Sequence, residues 1–273
     1  MTRIVATVLA LALTTSAWAL PYSISILPRQ EPAEALRQIT PLAEYLKEAT
    51  GLEVVPMVTA SFSEYESKVN RGEIAIGYEN PYIYARTSAN HQAIAVASRG
   101  ASGPRFRGVI ITRADSTIAT IDELRGKKVG IIGYTSACGY LSQKLTLMAA
   151  GINPDTELHL SEAMYNKADN VMMSVYYGDL DAGFIQDGDW AKEYEYIPKS
   201  QLKVIGRGEW LPNWAMSVSR SMPEADRVKI QEALMALPEG HAALEALQAH
   251  GFHEISDADF NSVRKAAGMP LAE

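Results

Sequence analysis

The strongest constraint on this chain is an alternation: short apolar runs are followed by stretches with apolar residues at helical spacing, in two series separated by a glycine-rich break. In the first series, strand-like runs at 22–26, 53–58, 74–78 and 93–98 alternate with helical patterns at 33–50, 63–71 and 81–89. Within 33–50, Leu36, Ile39, Leu42, Tyr45 and Leu46 recur at helical intervals, and Gly51 supplies the stop. Gly100, Ser102, Gly103 and Pro104 then cluster as a hinge signal at 100–107. The second series has strands at 109–112, 128–132, 157–160 and 182–185, with helices at 136–150 and 167–177. Two strands, 202–207 and 213–219, carry the chain back across 207–213, and helices at 223–236, 241–249 and 257–267 close it. Such alternation predicts an α/β fold of two lobes joined by a hinge, with a ligand cleft between them. The expected organisation is lobe 1 from 20–105, lobe 2 from 106–207, and a return to lobe 1 over 208–273.

The first nineteen residues are set apart from that fold. Arg3, an apolar run over 4–13, a polar break and Ala17-Trp18-Ala19 read as a secretory signal peptide, with the mature chain starting near Leu20 and exported to the periplasm. The apolar run is shorter than the roughly 20 residues a membrane-spanning helix needs. With 32 acidic and 25 basic residues the formal charge is −7, and no Lys/Arg-rich run is present, which argues against a nucleic-acid partner. The single cysteine, Cys138, forms no disulfide within the chain and belongs to no multi-cysteine metal cluster.

Catalytic and cofactor signatures are absent: no dinucleotide glycine motif, P-loop, zincin helix or nucleophile elbow occurs, and no cofactor is expected. His250 and His253 flank Gly251 at an expected helix terminus, and Met172-Met173 fits a packed helix face. The segment that carries chemistry is Gly133-Tyr134-Thr135-Ser136-Ala137-Cys138-Gly139-Tyr140, between an expected strand and helix. A strand, a tight turn and a helix start expose unpaired N–H groups at the positive end of a helix dipole, a setting that favours anions. Ser136 is the natural N-cap, and Cys138 reads equally as a small buried hydrophobe.

These residues resemble a known family. Phe106-Arg107-Gly108-Val109-Ile110-Ile111, Ile121-Asp122-Glu123-Leu124-Arg125-Gly126, Ser136-Ala137-Cys138-Gly139-Tyr140-Leu141 and Tyr176-Tyr177-Gly178-Asp179-Leu180-Asp181-Ala182-Gly183 stand in the order found in phosphate/phosphonate/phosphite-type periplasmic solute-binding proteins of ABC transporters. The resemblance implies a type II periplasmic binding protein: a monomer that closes on one small ligand, delivers it to a permease or sensor histidine kinase, and catalyses nothing. It also implies ligand contacts from Tyr65 and Tyr82 of the first lobe, from the turn Ser136, Ala137, Cys138 and Gly139 of the second, and from Asp187, with Gln186 and Asp189 as alternatives.

One departure sharpens the expected ligand. The family's Ser-Thr-Ser-Gly turn here reads Ser136-Ala137-Cys138-Gly139, so two hydroxyl donors are missing and a thiol has appeared. A thiol in a first helical turn is expected to have a lowered pKa, and thiolates favour soft acceptors such as trivalent arsenic. Some relatives resemble arsenite-binding periplasmic sensors, so arsenite held through Cys138 is the favoured ligand, with a phosphate, phosphite or phosphonate as the alternative. A cysteine-dependent enzyme, with His91 or His159 as base, is the reading from a different class.

Overall fold

The chain begins its first lobe with β1 (Tyr22–Ile26), whose side chains are mostly buried, followed by α1 (Pro32–Thr50). Pro32 occupies the first helical turn, where its missing N–H costs nothing. Ala35, Ile39, Leu42, Ala43 and Leu46 form one buried stripe, and Gly51 ends the helix at φ 71°, its N–H bonding back to Lys47. Then come β2 (Val54–Met57), α2 (Phe62–Asn70), β3 (Ile76–Glu79), α3 (Pro81–Thr87) and β4 (His91–Ser98). This computed structural model describes residues 20–272, so the signal peptide expected at 1–19 lies outside the described residues.

After a short strand β5 (Arg105–Phe106) the chain enters the second lobe: β6 (Gly108–Arg113), β7 (Lys128–Ile131), α4 (Ser142–Ala149), α5 (Pro154–Glu157), β8 (His159–Glu162), α6 (Ala168–Tyr177), β9 (Ala182–Gln186), α7 (Asp187–Ala191) and β10 (Leu202–Arg207). It returns through β11 (Leu211–Pro212) to β12 (Ala215–Ser219), α8 (Glu224–Ala236), α9 (Ala242–Leu247), β13 (Gly251–His253) and α10 (Asn261–Ala267).

Two sheets result. The first runs β13-β4-β12-β3-β1-β2, with β1 parallel to β2 and β3, and β12 antiparallel to β3 and β4. The second runs β10-β6-β9-β7-β8. Each has its own core: Ile24, Ile76, Met216, Leu42 and Ile230 in the first lobe, and Ile110, Val129, Ile131, Phe184 and Leu147 in the second. The crossings pair as β5 with β11, and Asn213 N–H bonds Pro104 O at 2.9 Å.

Four sequence expectations are corrected. The helix expected over 136–150 is α-helical only from Ser142; Ala137–Leu141 is a wider π turn. That turn lies hard against β7, with Ile132 N–H bonded to Gly139 O at 3.2 Å, and a Cβ at Gly139 would overlap Ile132. The strand expected at 157–160 slides to His159–Glu162, because Asn153 caps the short helix Pro154–Glu157. His250 to His253 is no helix end: β13 adds to the edge of the first sheet, antiparallel to β4. The final helix is split, since Ser256 and Asp259 form a capping box over a 3-10 turn at Asp257–Phe260 before α10 begins.

Candidate functional site

In the first lobe, Tyr65 lies on α2, whose N-cap Ser61 accepts from Glu64 N–H at 3.1 Å. Rather than facing a cleft, Tyr65 is fully buried and donates to Glu79. Ser217 Oγ lies 2.6 Å from the other Glu79 oxygen and 2.8 Å from His91 Nδ1, while His91 Nε2 meets Ile74 O at 3.0 Å. A carbonyl only accepts, so His91 Nε2 carries a proton. If Glu79 is ionised, Nδ1 is protonated too; if Glu79 is neutral, it donates to Ser217 and Ser217 donates to Nδ1. Burial lifts the Glu79 carboxyl to about 7 and depresses His91 to about 4, favouring the neutral arrangement. Gly77 makes room for this network, since a Cβ there would overlap Glu79 and Tyr65. The Tyr65 hydroxyl is thereby committed within the core, which corrects the expectation that it meets a ligand.

Tyr82 fares differently. Asn80 caps α3 by accepting from Ile83 N–H at 2.8 Å, which places Tyr82 half-buried between the lobes. It lines a groove of about 630 Å³ together with Tyr134, Tyr140 and Lys144 of the second lobe.

In the second lobe, Ser136 caps the π turn, accepting from Gly139 N–H at 3.0 Å. The N–H groups of Ala137 and Cys138, in the first turn, have no intrahelical acceptor. The preceding loop is held by Glu162, which accepts from Tyr134 N–H at 2.9 Å, and by Asn166, which donates to Ile132 O at 2.7 Å. Ala137 and Cys138 are buried, 5% and 2% exposed, within the second-lobe core, where the turn packs on β6 and β9 and Gln143 Nε2 donates to Cys138 O at 2.8 Å. Burial, followed by the charges of Asp189 and Asp187, pushes the Cys138 thiol well above its ordinary value. The expected dipole-lowered thiolate is therefore not what the site holds.

Asp187 is committed as well: it accepts from Arg107 Nε at 3.5 Å and Arg207 Nη1 at 2.8 Å, one arginine from each crossing. Arg107 also lies over the Trp210 ring, 4.4 Å from its centroid. Asp187 thus ties both crossings to the start of α7. Asp189, two residues on, pairs with Lys192 at 2.6 Å.

Sequence reasoning missed three residues. Arg29 follows β1, Arg99 follows β4, and Trp214 precedes β12, all at the end of the first sheet from which the chain crosses to the second lobe. The Arg29 and Arg99 guanidinium carbons lie 5.8 and 5.6 Å from the Trp214 ring centroid. Arg99 donates from Nε to Gln248 O at 3.2 Å, and neither arginine has a carboxylate partner among the described residues. Arg29 is exposed, yet desolvation lowers its pKa, as does the charge of Arg99, with Asp189 opposing. The available signal was position: both arginines stand just past the carboxyl ends of strands, where open α/β sheets commonly bind ligands.

The chain matches the model of the phosphonate periplasmic substrate-binding proteins of ABC transporters over residues 24–260. It is 29% identical over 150 residues to the tetrathionate sensor histidine kinase TtrS of Salmonella typhimurium, an alignment covering 53% of this chain and 25% of the kinase. The chain thus spans about a quarter of that relative's length. Among solved structures, XAC2383 from Xanthomonas citri bound to ATP is similar with a TM-score of 0.76 at 17% identity, over 90% of this chain and 95% of that one. PhnD1 from Prochlorococcus marinus in complex with methylphosphonate gives 0.68 at 13%, over 90% and 97%. The aliphatic sulphonate binding protein SsuA from Escherichia coli gives 0.56 at 15%, over 92% and 75%. These likenesses establish the fold as that of type II periplasmic binding proteins.

Proposed function

Because the chain belongs to the phosphonate-type periplasmic substrate-binding family of ABC transporters, we propose that it captures a small oxyanion of phosphorus or sulfur between its lobes and presents it to a membrane partner. The observation that carries this reading is the match to the phosphonate-binding family over residues 24–260. Supporting it, Arg29 and Arg99 flank Trp214 with no carboxylate partner among the described residues, and the Ser136 turn opens with N–H groups that lack an intrahelical acceptor. Tyr82 and Ser136 complete the candidate contacts, while Asp187 holds the crossings on which closure turns. The segment 1–19 acts as the export signal. The partner is an ABC permease or the periplasmic part of a sensor kinase, and the likeness to a tetrathionate sensor kinase supports the second.

The arsenite reading requires an accessible, ionised Cys138, and the burial of that thiol with its raised pKa weighs against it. Titration calorimetry with methylphosphonate, methanesulfonate, tetrathionate and arsenite, paired with small-angle scattering, tests the proposal. One of the first three binds and compacts the protein, and at 100 times its dissociation constant stabilises the fold by about 2.7 kcal/mol. If arsenite alone binds, and Cys138→Ser abolishes that binding, the thiolate reading takes its place.

A further inference from the structure

Two guanidinium groups beside one indole ring, with no carboxylate between them, are held at a cost. Arg29 and Arg99 repel each other, and each gives up hydration against the Trp214 face. Most arginines in this molecule are neutralised: Arg37, Arg71, Arg86, Arg107, Arg113, Arg125, Arg207 and Arg264 all pair with carboxylates. Arg99 is also held in place, by the carbonyl of Gln248, which ends α9 in the left-handed conformation at φ 54°. Beneath the pair, the Tyr78 ring packs on Trp214 with centroids 5.1 Å apart. Tyr78 is 1% exposed, and its hydroxyl has no acceptor among the described residues. The Arg99 guanidinium beside it can donate to that oxygen but cannot accept its proton. A buried O–H without an acceptor, beside two cations without a carboxylate partner, indicates a missing acceptor.

We propose that Arg29, Arg99 and Trp214 form an anion clamp, with Tyr78 as its buried donor, that selects solutes carrying two negative charges over singly charged ones of the same size. The proposal rests on the reading of the chain as an oxyanion-binding protein, and it adds what that reading leaves open, the charge of the ligand. Two arginines supply paired charge-assisted hydrogen bonds, and the indole wall excludes water from them, so the second ligand charge is rewarded only while both cations are present.

Binding is measured for methanesulfonate against methylphosphonate at a pH where the phosphonate is doubly ionised, a pair matched in shape, and for tetrathionate and ethane-1,2-disulfonate as longer dianions. The protein is the wild type, Arg29→Gln, Arg99→Gln, the double variant, and the charge-preserving Arg29→Lys. At least one dianion binds wild type about a hundredfold more tightly than methanesulfonate. Each glutamine variant weakens that dianion about tenfold to a hundredfold, and Arg29→Lys keeps most of the preference. Equal affinity for mono- and dianions, or a preference that survives the double variant, overturns the clamp while leaving oxyanion capture standing. Failure of every probe to bind folded wild type overturns both.

Discussion

The two lobes supply candidate contacts built on opposite principles. The first lobe presents fixed charge: Arg29 and Arg99 stand at strand ends around Trp214, unpaired with any carboxylate among the described residues. The second presents a neutral turn, Ser136 to Gly139, whose side chains are small or buried and whose free groups are backbone N–H, backed by the acids Asp187 and Asp189. Family resemblance directed attention to the turn, whereas on the proposal above the charge that attracts an anion comes from the first lobe. A site can lose hydroxyl donors on one lobe and remain an anion site if the other lobe carries the charge.

The difference extends below the surface, and there the largest effect is expected. Glu79 has a folded pKa above its ordinary value of 4.5, so its contribution to stability is full below pH 4.5 and is lost as pH rises through about 7. His91 has a folded pKa below its ordinary 6.5, so its contribution is lost as pH falls through about 4. Between pH 4.5 and 6.5 the two slopes oppose, and wild type should show nearly constant stability there. Glu79→Gln removes one slope, so urea unfolding should show the variant losing on the order of 3 kcal/mol between pH 6.5 and pH 4. A variant as flat as wild type would mean that His91 is not held neutral by its burial.

Cys138→Ser comes next. A hydroxyl in the apolar pocket under the turn should cost about 1–3 kcal/mol, read from the denaturation midpoint, with oxyanion affinity unchanged. Improved oxyanion affinity would instead place the side chain at the ligand and erase the contrast between charged wall and neutral turn. Asp187→Asn breaks the pairs with Arg107 and Arg207, which are partly exposed, so stability should fall by about 1 kcal/mol or less. Its clearer signature is a broader distribution of lobe orientations by scattering without ligand; an unchanged profile would remove Asp187 from hinge control. The smallest effect belongs to Asp189→Asn: with a competing negative charge gone from beside Arg29, anion affinity should rise a few-fold in low salt and less at high salt. A fall in affinity would make Asp189 a ligand contact, as the family resemblance suggested for this region.

Much of the architecture was legible in the sequence because its signals are local. Apolar spacing placed β1 and α1, Gly51 marked the turn into the left-handed region, and Ser136 capped its turn as its side chain dictates. The order of strands and helices announced two α/β lobes, and the motif order announced the family. What the sequence by itself did not determine was the partner of each side chain. Tyr65 looked like a ligand contact until Glu79, Ser217 and His91 from three strands enclosed it. Cys138 looked like a thiolate until the turn packed on β6 and β9 and buried it within the field of two acids. Segment 251–253 looked like a helix end until the open edge of β4 offered it hydrogen bonds. Arg29, Arg99 and Trp214, far apart in the chain, became a cluster only when β1, β4 and β12 joined one sheet, with β3 between β12 and β1. Periodicity and capping act over a few residues, whereas burial, charge and hydrogen-bond supply at a site are sums over distant segments, and those sums exist only once the chain has folded.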